Sequence, residues 1–167
     1  MKKIFLLPLF LFSIAFFNAQ GKLYLQNYSI YDLQMRLVAQ HISNCTPEVV
    51  GSVSFPAATQ EEFDDYSEFP PYATGFGVLL PGATSAIYQA AGSGLLQSLS
   101  PITQWKYAWF QTKYAGTTNN TYDIDFHMAD PNNLPCSFSG TDSVTGALTT
   151  AFWFTIPSMN ATYLVIQ

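Results

Sequence analysis

Hydrophobic residues in this chain alternate with polar ones at a period of two far more often than they recur at the helical spacing, and that alternation predicts strands. Across 33–39, Leu33, Met35, Leu37 and Ala39 share one side, with Gln34 and Arg36 on the other. Across 49–55, Val49, Gly51, Val53 and Phe55 alternate with Val50, Ser52 and Ser54. Residues 122–128 set Tyr122, Ile124, Phe126 and Met128 against Asp123, Asp125 and His127, the pattern of a half-buried strand. Further strands are expected over 22–27, 76–80, 85–89, 103–114, 150–156 and 161–166. The last is apolar on both sides and reads as a central strand.

Turn residues separate these runs: Pro81-Gly82, Ala115-Gly116 with Asn119-Asn120, and the stretches 130–133, 140–146 and 157–160. Only 94–100 suggests a helix, a short one bounded by Gly92, Gly94 and Pro101. The expected fold is all-β: a single-domain antiparallel β-sandwich of eight or nine strands, with a β-barrel as the competing closure. No internal repeat is present.

Residues 1–20, MKKIFLLPLFLFSIAFFNAQ, place two lysines before an uncharged apolar run and end in Asn18-Ala19-Gln20. This is the form of a bacterial-style secretory signal peptide, leaving 21–167 as the β-sandwich domain of a secreted or cell-surface protein. No later run is long enough for a membrane-spanning helix. Without the first twenty residues, Lys22, Arg36, Lys106 and Lys113 stand against eleven acids, a net charge of −7. That balance argues against nucleic acid and against anionic lipid as partners, because both are held by clustered Lys and Arg. Cys45 and Cys136 are the only cysteines, and in an oxidising compartment they are expected to pair.

Five of the eleven acids fall within 61–68, in the stretch EEFDDYSEFPPY, where Phe63, Tyr66, Phe69 and Tyr72 recur at every third position. A three-residue period suits an extended polyproline-II-like course, which would line the rings along one edge. Three uses follow from such a segment. It could be a crossover loop laying its rings on the body, a calcium clip using Asp64, Asp65 and Glu68, or a partner-binding loop presenting its four aromatics.

Two other constellations carry chemistry. Asp123 and Asp125 share a strand face with His127 and could hold a divalent cation or act as acid and base, although an ordinary solvated face has the same pattern. Trp105, Tyr107 and Trp109 fall on one side of the long strand 103–114. Such a row suits a sugar-stacking platform, and equally a core.

The chain lacks a nucleophile elbow, a phosphate loop, a zinc-protease helix motif and paired cysteine ligands. Carboxylate-based glycoside hydrolysis needs only two acids and stays open. The leading expectation is a non-enzymatic module that binds a glycan or protein partner at a cell surface, without a cofactor unless calcium orders the acidic loop. A membrane-active, toxin-like sandwich is the second expectation.

Overall fold

The computed structural model describes residues 21–167, and the expected signal segment lies outside the described residues. In chain order the elements are β1 (Lys22–Asn27), β2 (Tyr31–His41), β3 (Glu48–Phe55), β4 (Thr59–Phe63), β5 (Gly75–Leu79), β6 (Ile87–Ala90), α1 (Gly94–Leu99), β7 (Thr103–Tyr114), β8 (Phe126–Ala129), β9 (Ser143–Thr145), β10 (Thr150–Ile156) and β11 (Ala161–Ile166). They form two open sheets packed face to face, ordered β4-β1-β11-β10-β9 and β6-β5-β3-β2-β7-β8. The fold is the all-β sandwich that the alternation predicts, and no barrel closes. All strand pairs are antiparallel except β1 with β11, which run parallel.

Eleven strands replace the expected eight or nine. The additional ones are β4 and β9, and neither carries an apolar alternation. The first, TQEEF, is an edge strand held by its register with β1, Leu23 opposite Phe63 and Gln26 opposite Gln60. Charged residues on an edge discourage further pairing, so its composition fits its place rather than its conformation. The second has three residues and is defined by pairing with β10. The expected strand 122–128 is shortened to Phe126–Ala129, because the chain before it turns Asp123 into the protein.

Inward residues alternate as expected: Leu23 and Leu25, then Leu33, Met35 and Leu37, then Val49, Val53 and Phe55, all buried in one core between the sheets. Full burial of each such side chain stabilises the fold by roughly 1.5–3 kcal/mol. Gly51 holds an inward position where a Cβ would lie 2.3 Å from the Phe76 ring, so glycine makes room for that ring. Strand β11 lies in the middle of its sheet, matching its apolar character on both faces.

A bulge in β7 decides the rest of the architecture. Val38 pairs with Tyr107 while Ala39 pairs with Trp105, so Lys106 is an extra residue with no partner across the ladder. One extra residue reverses the sidedness of everything beyond it. Trp105 therefore points into the core, while Tyr107 packs on the opposite face with Val38, Ala129 and Phe138. No helix among the described residues is long and apolar enough to cross a membrane.

Candidate functional site

The outer face of the six-stranded sheet is a grid set by strand register. One row reads Ser52, Arg36, Trp109, His127 across β3, β2, β7 and β8. With strands about 4.8 Å apart, these four residues span roughly 14 Å. The next row holds Ser54, Gln34 and Gln111, and the one beyond it pairs Asp32 with Lys113. On the other side of the Trp109 row lies an apolar row of Val50, Val38, Tyr107 and Ala129.

Trp109 is half-buried and its ring is fixed by a chain of hydrogen bonds. Its Nε1 donates to Asp125 Oδ1 at 2.6 Å, and the same oxygen lies 2.9 Å from His127 Nε2. His127 Nδ1 lies 2.5 Å from the Tyr107 hydroxyl. With the imidazole proton on Nε2, the His ring donates to Asp125 and accepts from Tyr107, and every member is satisfied. The Trp109 and His127 hydrogen bonds hold the Asp125 carboxyl below its ordinary pKa. Burial pushes the Tyr107 phenol up, the Asp125 charge adds to this, and Arg36 opposes it. Phe138 stacks on Tyr107 with centroids 4.6 Å apart.

The buried indole N–H groups of Trp105 and Trp153 have no hydrogen-bond partner among the described residues. The half-exposed Trp109 has one. Its bond to Asp125 thus orients a ring at the surface instead of satisfying one in the core.

The Phe138 loop is pinned from beneath. Cys45 and Cys136 are bonded, with Cα atoms 5.4 Å apart, as their count predicts. Cys136 N donates to Gln40 Oε1 at 3.0 Å and Asn133 Nδ2 to Gln104 Oε1 at 3.0 Å. Disulfide and hydrogen bonds together clamp this loop over the apolar row and leave the Trp109 row open.

No family model, curated protein or solved structure matches this chain. The site is therefore read from its own residues.

Of the residues singled out by sequence, the structure brings Tyr107, Trp109, Asp125 and His127 together and places the others elsewhere. Trp105 lies inside, 5.5 Å from Tyr66 and 5.5 Å from Phe69 between ring centroids. Phe63 stacks on Phe69 at 4.1 Å, and Tyr72, half-buried, packs on Phe55 at 4.9 Å. The rings of Phe63, Tyr66, Phe69 and Trp105 are buried in the core, and Tyr72 packs against it while partly exposed. The three-residue period is met by strand β4 and then a 3-10 turn, Tyr66–Glu68, and not by the extended course expected. A 3-10 turn also eclipses residues three apart, so period alone does not separate the two. The Tyr66 hydroxyl meets Thr103 Oγ1 at 2.8 Å, and burial raises its pKa.

The acids around those rings disperse. Asp65 caps the 3-10 turn by accepting from Ser67 N at 2.6 Å, and Glu68 accepts from Asp64 N at 2.6 Å. Glu61 accepts from the Tyr72 hydroxyl at 2.7 Å, while Glu62 and Asp64 pair with Lys22. Among the described residues no group of three or more His, Cys, Asp or Glu side chains is placed to hold a metal ion.

Asp123 is drawn away from Asp125. It is 3% exposed and accepts from Ala147 N at 2.6 Å, Leu148 N at 2.9 Å, and Thr149 N and Oγ1 at 2.8 and 2.9 Å. Its carboxylate staples the entry of β8 to the β9–β10 turn and hence one sheet to the other. The expected face of Asp123, Asp125 and His127 is split by this turn. Arg36, Ser52, Gln34 and Gln111 complete the surface in place of Asp123. Sequence shows them only as the polar half of an alternation, and their convergence on Trp109 depends on register.

Proposed function

We propose that this protein is a secreted, non-enzymatic glycan-binding module whose ligand lies on the outer face of the six-stranded sheet, with Trp109 as its stacking platform. The observation that carries this reading is the ring of Trp109, half-exposed and locked through Asp125 and His127 in the middle of a polar row. An indole held in one orientation loses little entropy on binding, and the flat C–H face of a pyranose packs on it without distortion. Ser52, Arg36, Gln34 and Gln111 surround it with donors and acceptors for sugar hydroxyls, the usual division between an apolar contact and a few placed polar groups. A binding role also fits the two acids, since Asp123 is saturated by four donors and Asp125 is occupied in holding Trp109.

Tryptophan fluorescence tests this directly, because Trp105 and Trp153 are each 1% exposed and only Trp109 can report a surface ligand. Titration with a panel of soluble oligosaccharides is expected to change emission with at least one member and to give no change in Trp109→Phe. A panel that leaves emission and melting temperature unaltered, or a response that survives in Trp109→Phe, refutes the assignment.

One observation favours the membrane-active reading as second choice. Residues 69–105 contain no charged residue, and within them the β5–β6 hairpin ends in an edge strand with Ile87 and Tyr88 exposed. Release of dye from neutral liposomes by the folded protein, lost in Tyr88→Asp, would favour it over glycan binding.

A further inference from the structure

Resting on the glycan reading above, we propose that the ligand is an acidic saccharide whose carboxylate or sulfate groups are held by Arg36 and Lys113.

Residues 21–167 contain four basic side chains. Lys22 is engaged by Glu62 and Asp64 on the other sheet. Lys106, the bulge residue, is 8% exposed. The two that remain, Arg36 and Lys113, both point outward on the face that carries Trp109. Neither makes an ion pair or a side-chain hydrogen bond among the described residues. In a chain with eleven acids, the available cations are thus gathered on one side of one sheet.

The three acids on the strands of that face and its β8 approach, Asp32, Glu48 and Asp125, each accept hydrogen bonds from the protein, Glu48 from Gln40 Nε2 at 2.6 Å. Asp125 Oδ1 receives Trp109 and His127. Asp32 stands opposite Lys113 in register, yet its oxygens accept from Ala57 N at 2.9 Å and Gly116 N at 2.7 Å. Five other acids, at 61–68, sit on and beyond the edge strand of the opposite sheet.

Spacing favours an oligomer over a single sugar. Arg36 is in register with Trp109, so it flanks a sugar stacked on the indole. Lys113 lies four residues further along β7 than Trp109, roughly 14 Å away at about 3.4 Å per residue. There it lines a cleft of about 290 Å³ with Gln34, Ser54, Thr117, Thr118 and Asp32, whose two oxygens are turned to backbone N–H groups. Gln34 and Gln111 lie between the two cations, Gln111 donating to Gln34 Oε1 at 3.5 Å and accepting from Asn120 Nδ2 at 3.3 Å, and both amides can turn donors and acceptors to hydroxyls. The guanidinium fork of Arg36 suits a planar carboxylate, and the Lys113 ammonium either anion. Two cations are too few to follow a nucleic-acid backbone, whose affinity rests on many neutralised phosphates.

The deciding experiment is calorimetric titration of the protein with an oligogalacturonate, its carboxyl-reduced neutral counterpart and a chondroitin sulfate fragment, with an oligo-dT of similar charge as the competing polyanion. The wild type is expected to bind at least one of the two acidic saccharides ten-fold or more tightly than the neutral counterpart, and to weaken as salt rises. Lys113→Gln should remove most of that preference and leave affinity for the neutral oligomer unchanged, whereas Arg36→Gln, whose side chain also meets sugar hydroxyls, should remove the preference and weaken neutral binding as well. Arg36 is exposed and Lys113 partly so, and a thermal melt confirms that each variant is folded. Binding carried by the carboxylate or by the sulfate arm identifies the anion. Equal binding of the neutral counterpart, retention of the preference in both variants, tighter binding of oligo-dT, or no binding of either acidic saccharide overturns the inference. Loss of neutral and acidic binding alike in Trp109→Ala leaves the platform standing whatever happens to charge preference, whereas binding indifferent to Trp109→Ala removes the platform itself.

Discussion

Trp109 Nε1 donates to Asp125 Oδ1 at 2.6 Å across a sequence distance of sixteen residues, and the same oxygen is shared with His127. A surface carboxylate here serves as the fixed point of an aromatic ring. Asp125→Ala is expected to lower glycan affinity about tenfold, because the ring it orients is freed. The melting temperature should hardly move, because exposed substitutions generally stay within about 0.5 kcal/mol. Calorimetry and a thermal melt on the same variant check both halves. A large loss of stability would mean that the network supports the fold and not the ring.

Asp123 should behave in the opposite way. Burial pushes its carboxyl up, but the N–H groups of Ala147, Leu148 and Thr149 with the Thr149 hydroxyl outweigh this and hold it below the usual range. A depressed folded pKa contributes stability that is complete above the unfolded value of about 3.9 and is lost as pH falls through the folded one. Asp123→Ala is therefore expected to cost about 3 kcal/mol at pH 7, since several buried donors lose a charged acceptor. The gap between wild type and variant should narrow as the pH is taken well below 4. Urea midpoints across this range decide it, and a gap independent of pH would refute the linkage. Gly146→Ala should destabilise by the same route, because its Cβ would lie 2.4 Å from Asp123 Oδ1.

Much of this architecture is legible in the sequence. The inward rows of β2 and β3, the central place of β11 and the Cys45–Cys136 pair follow from alternation, apolarity on both faces and cysteine count. What is not legible depends on contacts between distant segments. Strand β4 is polar along nearly its whole length and becomes a strand because β1 offers it an edge. Trp105 and Tyr107 carry no local sign that an extra residue between them sends one inward and the other out. Arg36 and Trp109 are both visible, but only register makes them neighbours.

Reduction of the disulfide offers a third test. The bond closes a loop of 91 residues by sequence separation, and in the chain-entropy model its loss costs about 4.6 kcal/mol. Because Cys136 anchors the loop carrying Phe138, reduction should also loosen the Phe138–Tyr107 stack and weaken ligand binding before the protein unfolds. Parallel melts and titrations with and without a reductant measure the two effects. An unchanged melting temperature would show that the hydrogen bonds of Cys136 and Asn133 hold the loop unaided.

The acidic segment gives a fourth. Asp65 caps a 3-10 turn, and Asp65→Ala is expected to cost about 1 kcal/mol, the usual value of such a cap. Millimolar calcium should leave the melting temperature of wild type and of an Asp64→Asn, Asp65→Asn double variant where it is. A calcium-dependent rise in the wild type that the double variant lacks would restore the clip.

Strands β1 and β11 run side by side in the same direction although nearly the whole described chain separates them. No local hairpin can bring them together, and the middle of the five-stranded sheet is assembled from the two segments that must search longest for each other. Pairings of such range delay folding, because the entropy of closing the intervening chain is spent before any contact rewards it. Refolding should accordingly be slow for a protein of this size, with the β2–β3 hairpin acquiring protection from hydrogen exchange ahead of β1 and β11.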